Sequence, residues 1–248
     1  MKEEDNDKEQ VLRDDKILDT VTIKKVSDMQ KFLAELIGTC FLVFVITGIP
    51  TFTQKFNLIY NGAFESSLVL TTMIYIFGRI SGAHFNPAVT IPMFLRKKIS
   101  LIECCYYIGA QLLGAFLGSI LVIICNKGEF ESISANGTSD FQGFWDYCSC
   151  FVIEIILTFG LVFVIFASTI KENNFGNLTG FIVGVTLYFL GITGAGVSGG
   201  SLNPARSIAP AVIEAIAGQY NGIKHLWIYV LAPIIGGVCA GYLNLLFE

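Results

Sequence analysis

The chain has 248 residues, of which 53% are apolar and only 15% charged, with a mean hydropathy of +0.64 and a formal net charge of −4. Soluble domains carry about 25% charged residues, so this composition points to a bilayer, and the absence of a basic stripe excludes a nucleic-acid binder. No nucleophile–base pair, phosphate-cradling loop or His/Cys set at metal spacing occurs, so neither catalysis nor a cofactor is expected.

Residues 1–31 hold 7 of the 16 Lys/Arg and 9 of the 20 Asp/Glu. They lack the apolar core and small-residue cleavage site of a signal peptide and read as a polar cytoplasmic tail. From 32 onward, six segments are long and apolar enough for a hydrocarbon core of about 30 Å: 32–53, 64–83, 102–125, 147–170, 178–197 and 225–247. Two shorter helical stretches, 86–95 and 203–214, fall after the second and fifth spans and cannot cross. The expectation is an all-α membrane domain over 32–248, with six transmembrane helices and two half-helices. Five cysteines (Cys40, Cys104, Cys105, Cys125, Cys239) sit in or beside apolar runs as small hydrophobes.

Cationic residues set the orientation. The tail, Arg96-Lys97-Lys98 and Lys171 fall on one side, against Lys55, Lys127 and Lys224 on the other, which puts both termini inside. Asn136-Gly137-Thr138 then lies in an outer loop as a glycosylation acceptor. Asn177-Leu178-Thr179 would lie inside, so that match is attributed to chance. Arg79 and the 96–98 cluster are expected at lipid headgroups.

The halves repeat. Each short stretch opens on Asn-Pro-Ala, at Asn86-Pro87-Ala88 and Asn203-Pro204-Ala205, 117 positions apart. Ala34-Glu35-Leu36-Ile37-Gly38-Thr39 is echoed by Ile153-Glu154-Ile155-Ile156-Leu157-Thr158, and Gln111-Leu112-Leu113-Gly114-Ala115 by Pro233-Ile234-Ile235-Gly236-Gly237. With three spans per half, about 32–125 and 147–247, the second half must insert upside down, which places a site at the midplane. Asn caps a helix and Pro suits its first position, so two helix N-termini would face one another there. Each carries roughly half a positive charge, raising the energy of any cation between them. Each Asn oxygen can accept from its own helix, leaving its NH₂ as a donor to the lumen. Irregular backbone at that depth requires a cavity. Arg206, on the first turn of the second half-helix, marks a permeation path or pairs with a loop carbonyl.

The strings Ser81–Thr90 and Ser198–Ser207, with Glu35, Glu154 and Gln111-Leu112-Leu113-Gly114, resemble the aquaporin (major intrinsic protein) family over about residues 30–247. The resemblance implies the inverted-repeat fold above, four subunits per assembly and one pore in each. It implies a carbonyl ladder at Gly82, Ala83, His84, Gly199 and Ser201, with Glu35 and Glu154 bracing the loops from behind; hydration near a helix end is the alternative for those two. His84 is a ring packed beside the half-helix or, alternatively, a pH-sensitive element. Counting from the Asn residues, the filter around Arg206 is walled by Ser66, Gly191 and Gly200, wide and polar unless a helix shift brings in Phe64 or Tyr188. Ser81–Ile91, Gly199–Ser207 and Trp227-Ile228-Tyr229 look like the plant nodulin-like branch. Ser207 and Ala211 match water and nodulin-like members rather than glycerol facilitators. The function implied is passive passage of water and small uncharged solutes such as glycerol, urea or undissociated metalloid acids. A water-selective channel and a secondary transporter are the alternatives.

Overall fold

A computed structural model describes residues 26–53, 62–128, 136, 141, 143–168, 170 and 175–247. Most of the expected tail, Lys55, Lys171, Gly137 and Thr138 lie outside them. The helices are α1 (Asp28–Thr53), α2 (Gly62–Ser81), α3 (Pro87–Leu95), α4 (Leu101–Cys125), α5 (Phe144–Ala167), α6 (Thr179–Ala195, after a 3₁₀ turn Gly176–Leu178), α7 (Pro204–Ile216), the single turn α8 (Asn221–Lys224) and α9 (Leu226–Leu243, ending in a 3₁₀ turn Asn244–Phe247). Six are long and apolar enough to span a membrane; α3 and α7 are the half-helices, and the described residues contain no strand.

The ends follow local chemistry. The first span starts at Asp28, inside the segment expected to be tail, because Ser27 and Gln30 bond reciprocally at its head. Lys31 then pairs with Glu103, which also closes a capping box with Ser100 at the head of α4. The second span runs Gly62–Ser81 rather than 64–83, because Gly82 turns to φ +88° and stops the helix.

The two halves pack by the same rule. α1 lies along α4 and α5 along α9; α2 lies against α6; half-helix α3 packs on α9, and α7 on α4. Each half thus covers the other's half-helix. Close approach is achieved through glycine: a Cβ on Gly114 would run into the Leu36 carbonyl, and one on Gly236 into the Ile155 carbonyl. These are equivalent places in the two repeats. The largest apolar cluster gathers Leu42, Leu70, Phe85, Leu157, Leu161 and Leu202, so Phe85 and Leu202, each preceding its Asn-Pro-Ala, anchor the loops in the core. Large apolar side chains cover the outside, Ile102 at 76% and Trp145 at 78% exposed among them, the surface that lipid requires.

Gly236→Ala is expected to lower the unfolding midpoint in detergent by the equivalent of about 1–3 kcal/mol, because the methyl must push α9 off α5. Gly109→Ala, in a helix interior with nothing near its Cβ position, is expected to be neutral or stabilising by about 0.5–1 kcal/mol.

Candidate pore and its constriction

The site begins with two caps. Asn86 is extended at φ −156° and its Oδ1 accepts from the Ala88 N–H at 2.8 Å; Asn203, at φ −145°, accepts from Ala205 at 3.0 Å and Arg206 at 3.3 Å. Pro87 and Pro204 take the first helical positions. The amide nitrogens are partly spent elsewhere than expected: Asn86 Nδ2 donates to the Leu202 carbonyl and Asn203 Nδ2 to the Phe85 carbonyl, both at 2.8 Å. Each Asn therefore starts its own helix and clamps the opposite loop, leaving one amide hydrogen for the cavity that both residues line.

Behind each loop stands a buried glutamate. Glu35 accepts from Ser81 Oγ at 2.6 Å, the His84 N–H at 2.9 Å, the Phe85 N–H at 2.7 Å and Gln111 Nε2 at 2.8 Å. Glu154 accepts from Ser198 Oγ at 2.6 Å, the Ser201 N–H at 2.8 Å and the Leu202 N–H at 2.9 Å. Both are fully buried, so hydration near a helix end does not describe them. Ser81 and Ser198 accept from Ala83 and Gly200 N–H, while Tyr107 and Tyr229 hydroxyls donate to the Ser81 and Ser198 carbonyls.

Counting backbone groups defines the ladder. The N–H groups of residues 82–85 and 199–202 are all taken, by Gly78 O, Gly194 O, the two serine hydroxyls and the two glutamates. The Phe85 and Leu202 carbonyls are held by the asparagines. What remains, among the described residues, is the carbonyls of Gly82, Ala83 and His84 and of Gly199, Gly200 and Ser201, all from residues lining the cavity. Left-handed backbone achieves this: φ is +88°, +53° and +50° at Gly82, Ala83 and Phe85, and +81°, +61° and +56° at Gly199, Gly200 and Leu202. Ala83, Phe85 and Leu202 hold this strained geometry only because the glutamates over-determine it.

His84 Nδ1 lies 3.1 Å from Thr90 Oγ1, and its ring packs edge-on to Tyr107 at 5.2 Å. Thr90 gives its one proton to the Asn86 carbonyl and accepts from Gln111. Nδ1 of His84 is therefore the protonated nitrogen, assigned by the network, and Nε2 is left as an acceptor. The ring both packs beside the half-helix and lines the cavity.

One cavity of about 1450 Å³ runs past Asn86 and Asn203, from Ser66, Gly191, Gly200 and Arg206 at one end to Arg79, Lys98 and Ser168 at the other. The four filter positions are thus brought together. Phe64 and Tyr188 meet edge-to-face at 5.9 Å and do not line it. The Gly191–Gly200 wall is also a close backbone contact: a Cβ on Gly200 would sit 3.2 Å from the Gly191 carbonyl, and one on Gly191 2.9 Å from the Ala63 methyl. Arg96 donates to the Gly241 carbonyl and lies 5.6 Å over the Phe166 ring. Asn136 reaches Arg206 and lines the cavity. Sequence reasoning missed Tyr107, Tyr229, Thr90 and the serine hydroxyls as parts of the frame; the available signal was the matched offsets of Ser81 with Ser198 and of Tyr107 with Tyr229 in the two halves.

The fold and this frame define a membrane channel. The major intrinsic protein family model matches residues 22–244, and the chain belongs to that family, whose members are channels and not enzymes. It is 37% identical over 227 residues to nodulin-26 of Glycine max (89% of this chain, 79% of that one) and 38% identical over 214 residues to glycerol uptake facilitator protein-like 6 of Lactiplantibacillus plantarum (86% and 96%). The aquaglyceroporin of Plasmodium falciparum superposes with a TM-score of 0.77 at 26% identity, covering 88% of this chain and 96% of that chain.

Glu154→Gln is expected to cost about 2–3 kcal/mol of stability, because the amide nitrogen would face a donor where the carboxyl accepts three. Water permeability should fall with it, measured by stopped-flow swelling beside the unfolding midpoint.

Proposed function

We propose that this protein passes water and small uncharged solutes such as glycerol, urea and undissociated metalloid acids, and rejects ions and protons. The observation that carries the reading is the filter wall: one serine hydroxyl, two glycine backbones and Arg206 around a continuous cavity. Among the described residues no aromatic side chain lines that end, so a carbon-bearing molecule is not shut out by their bulk. The Gly, Ala, His and Ser carbonyls of the ladder would accept hydrogens from a neutral solute as it moves. The facing helix starts and Arg206 would repel cations. Neither loop offers a carboxylate to the lumen, because both glutamates are consumed from behind; this favours a passive channel over a cation-coupled transporter. The names carried by the similar proteins, a glycerol uptake facilitator and an aquaglyceroporin, support the wider solute range.

Site roles follow on the same reading. Asn86, Pro87, Ala88, Asn203, Pro204 and Ala205 form the central barrier to cations. Ser66, Gly191, Gly200 and Arg206 form the solute filter. Both termini face the cytoplasm, as Lys31, Arg96, Lys97 and Lys98 gather on that side, and four copies assemble, each with its own pore.

Stopped-flow swelling of proteoliposomes under water, glycerol, urea and boric acid gradients tests the range; water flux with no solute flux would defeat it. Ser66→Phe is expected to cut glycerol and urea flux about tenfold, the effect of roughly 1.4 kcal/mol of added barrier, while water flux changes little. Ser66 is the better probe than Gly191, where any side chain must first displace Ala63.

A further inference from the structure

One turn beyond Gly191 on α6 stands a second glycine. Gly194 is buried and does not line the cavity, whereas Gly191 and Gly200 do. It meets the following loop in two ways. Its carbonyl accepts the N–H groups of Val197 at 3.0 Å, Ser198 at 2.9 Å and Gly199 at 3.1 Å, so the turn out of α6 is wound on one oxygen. Where its side chain would stand, a Cβ would lie 3.0 Å from the Gly200 Cα, 3.4 Å from the Gly200 nitrogen and 2.4 Å from Leu157 Cδ1. Carbon atoms rest about 3.5–4.0 Å apart, so even a methyl forces a shift. Leu157 offers the end of a side chain, which can turn aside. Gly200 offers backbone, which cannot.

The loop has little room to yield sideways. The Gly200 N–H donates to Ser198 Oγ at 3.1 Å, and Ser198 Oγ with the next two N–H groups is held by Glu154. Gly194 touches Gly200 and is shut off from the cavity that Gly200 lines, so atoms added at Gly194 press that wall towards the cavity. The first half fills the matching place. Nine and three positions before Asn86 stand Phe77 and Ala83, where the same counts from Asn203 give Gly194 and Gly200. The Phe77 ring packs edge-on to Phe85 at 6.2 Å, against the central apolar cluster. A ring thus stands beside one loop and a hydrogen atom beside the other.

We propose that Gly194 is a positioning residue of the constriction: by admitting the Gly200 backbone against α6 it holds that wall back and keeps the aperture wide. This rests on the reading of that mouth as the solute filter.

The test uses the full chain in proteoliposomes, with glycerol, urea and water flux per channel measured beside the unfolding midpoint. Gly194→Ala is expected to lower the glycerol-to-water and urea-to-water ratios about threefold or more, although the new methyl never reaches the lumen. Adding Leu157→Val removes the collision with Leu157 and leaves the one with Gly200, so the midpoint should recover while the ratios stay low. Gly196→Ala, at φ −82° with nothing near its Cβ position, should leave the ratios native. Fluxes that fall together at constant ratio would mean a merely structural glycine and overturn the proposal. Ratios restored by Leu157→Val would overturn it too, because the effect would then run through the core and not through Gly200. If the unaltered protein passes water alone, the solute range fails on that protein, and water decides Gly194: flux lowered in the double variant at a recovered midpoint upholds the role, and unchanged flux overturns it.

Discussion

Everything in this channel depends on two glutamates buried in the bilayer's depth. Irregular backbone survives there only if each polar group has a partner or faces water, and the loops before α3 and α7 are irregular by any measure, with three left-handed residues apiece. Glu35 and Glu154 resolve the conflict by taking two backbone N–H groups and one serine hydroxyl each. Once the N–H side is occupied from behind, the carbonyl side is forced forward. A polar lane through an apolar protein is then a consequence of hydrogen-bond counting. The asparagines complete the frame by bonding across the midplane, which makes the position of each half-helix start a function of the other loop.

The repeats are equivalent in frame and different in filling. Ser81 and Ser198, Glu35 and Glu154, and Tyr107 and Tyr229 do the same tasks in both halves. Where the lumen is lined, the pairs diverge: His84 against Ser201 and Ala83 against Gly200. Glu35 has Gln111 as an extra donor, and the matching place in the second half is Pro233, which has none. Thus the frame residues stay paired while the lining residues give the two ends of the lane different chemistry.

How far the sequence revealed this depends on the distance over which each feature is decided. Helix starts at Asn86 and Asn203 are local, set by cap and proline within four residues, and could be read directly. Glu35 was visible as an anomaly in an apolar run, yet its partners lie 46 to 76 positions away, so only the family resemblance indicated a brace. Span ends missed by two or three residues where a backbone dihedral decides, as at Gly82. Gly191 and Gly200 were read as missing bulk; the structure adds that their backbones touch, a packing reason invisible along the chain. Asn136 is the plainest case of a contact hidden along the chain. Three residues spell a glycosylation pattern, while the contact that places the side chain is 70 positions distant.

On the proposed reading, width is set at the constriction while cations are opposed chiefly by the facing helix starts, with Arg206 adding its own charge, and that division explains how a filter of serine and glycine remains compatible with ion exclusion. On the proposed reading, size is judged where Ser66, Gly191, Gly200 and Arg206 meet, and charge is opposed at the midplane, where helix dipoles act through fixed backbone. Enlarging the first leaves the second intact, because the midplane geometry is held by Asn86, Asn203 and the glutamates and by no filter side chain. The one member common to both is Arg206: its backbone N–H bonds Asn203 Oδ1, and its guanidinium stands in the filter. A change that moves that guanidinium is therefore felt in size discrimination first, whereas one that moves Asn203 disturbs both. The field can be conserved while the aperture is free to change.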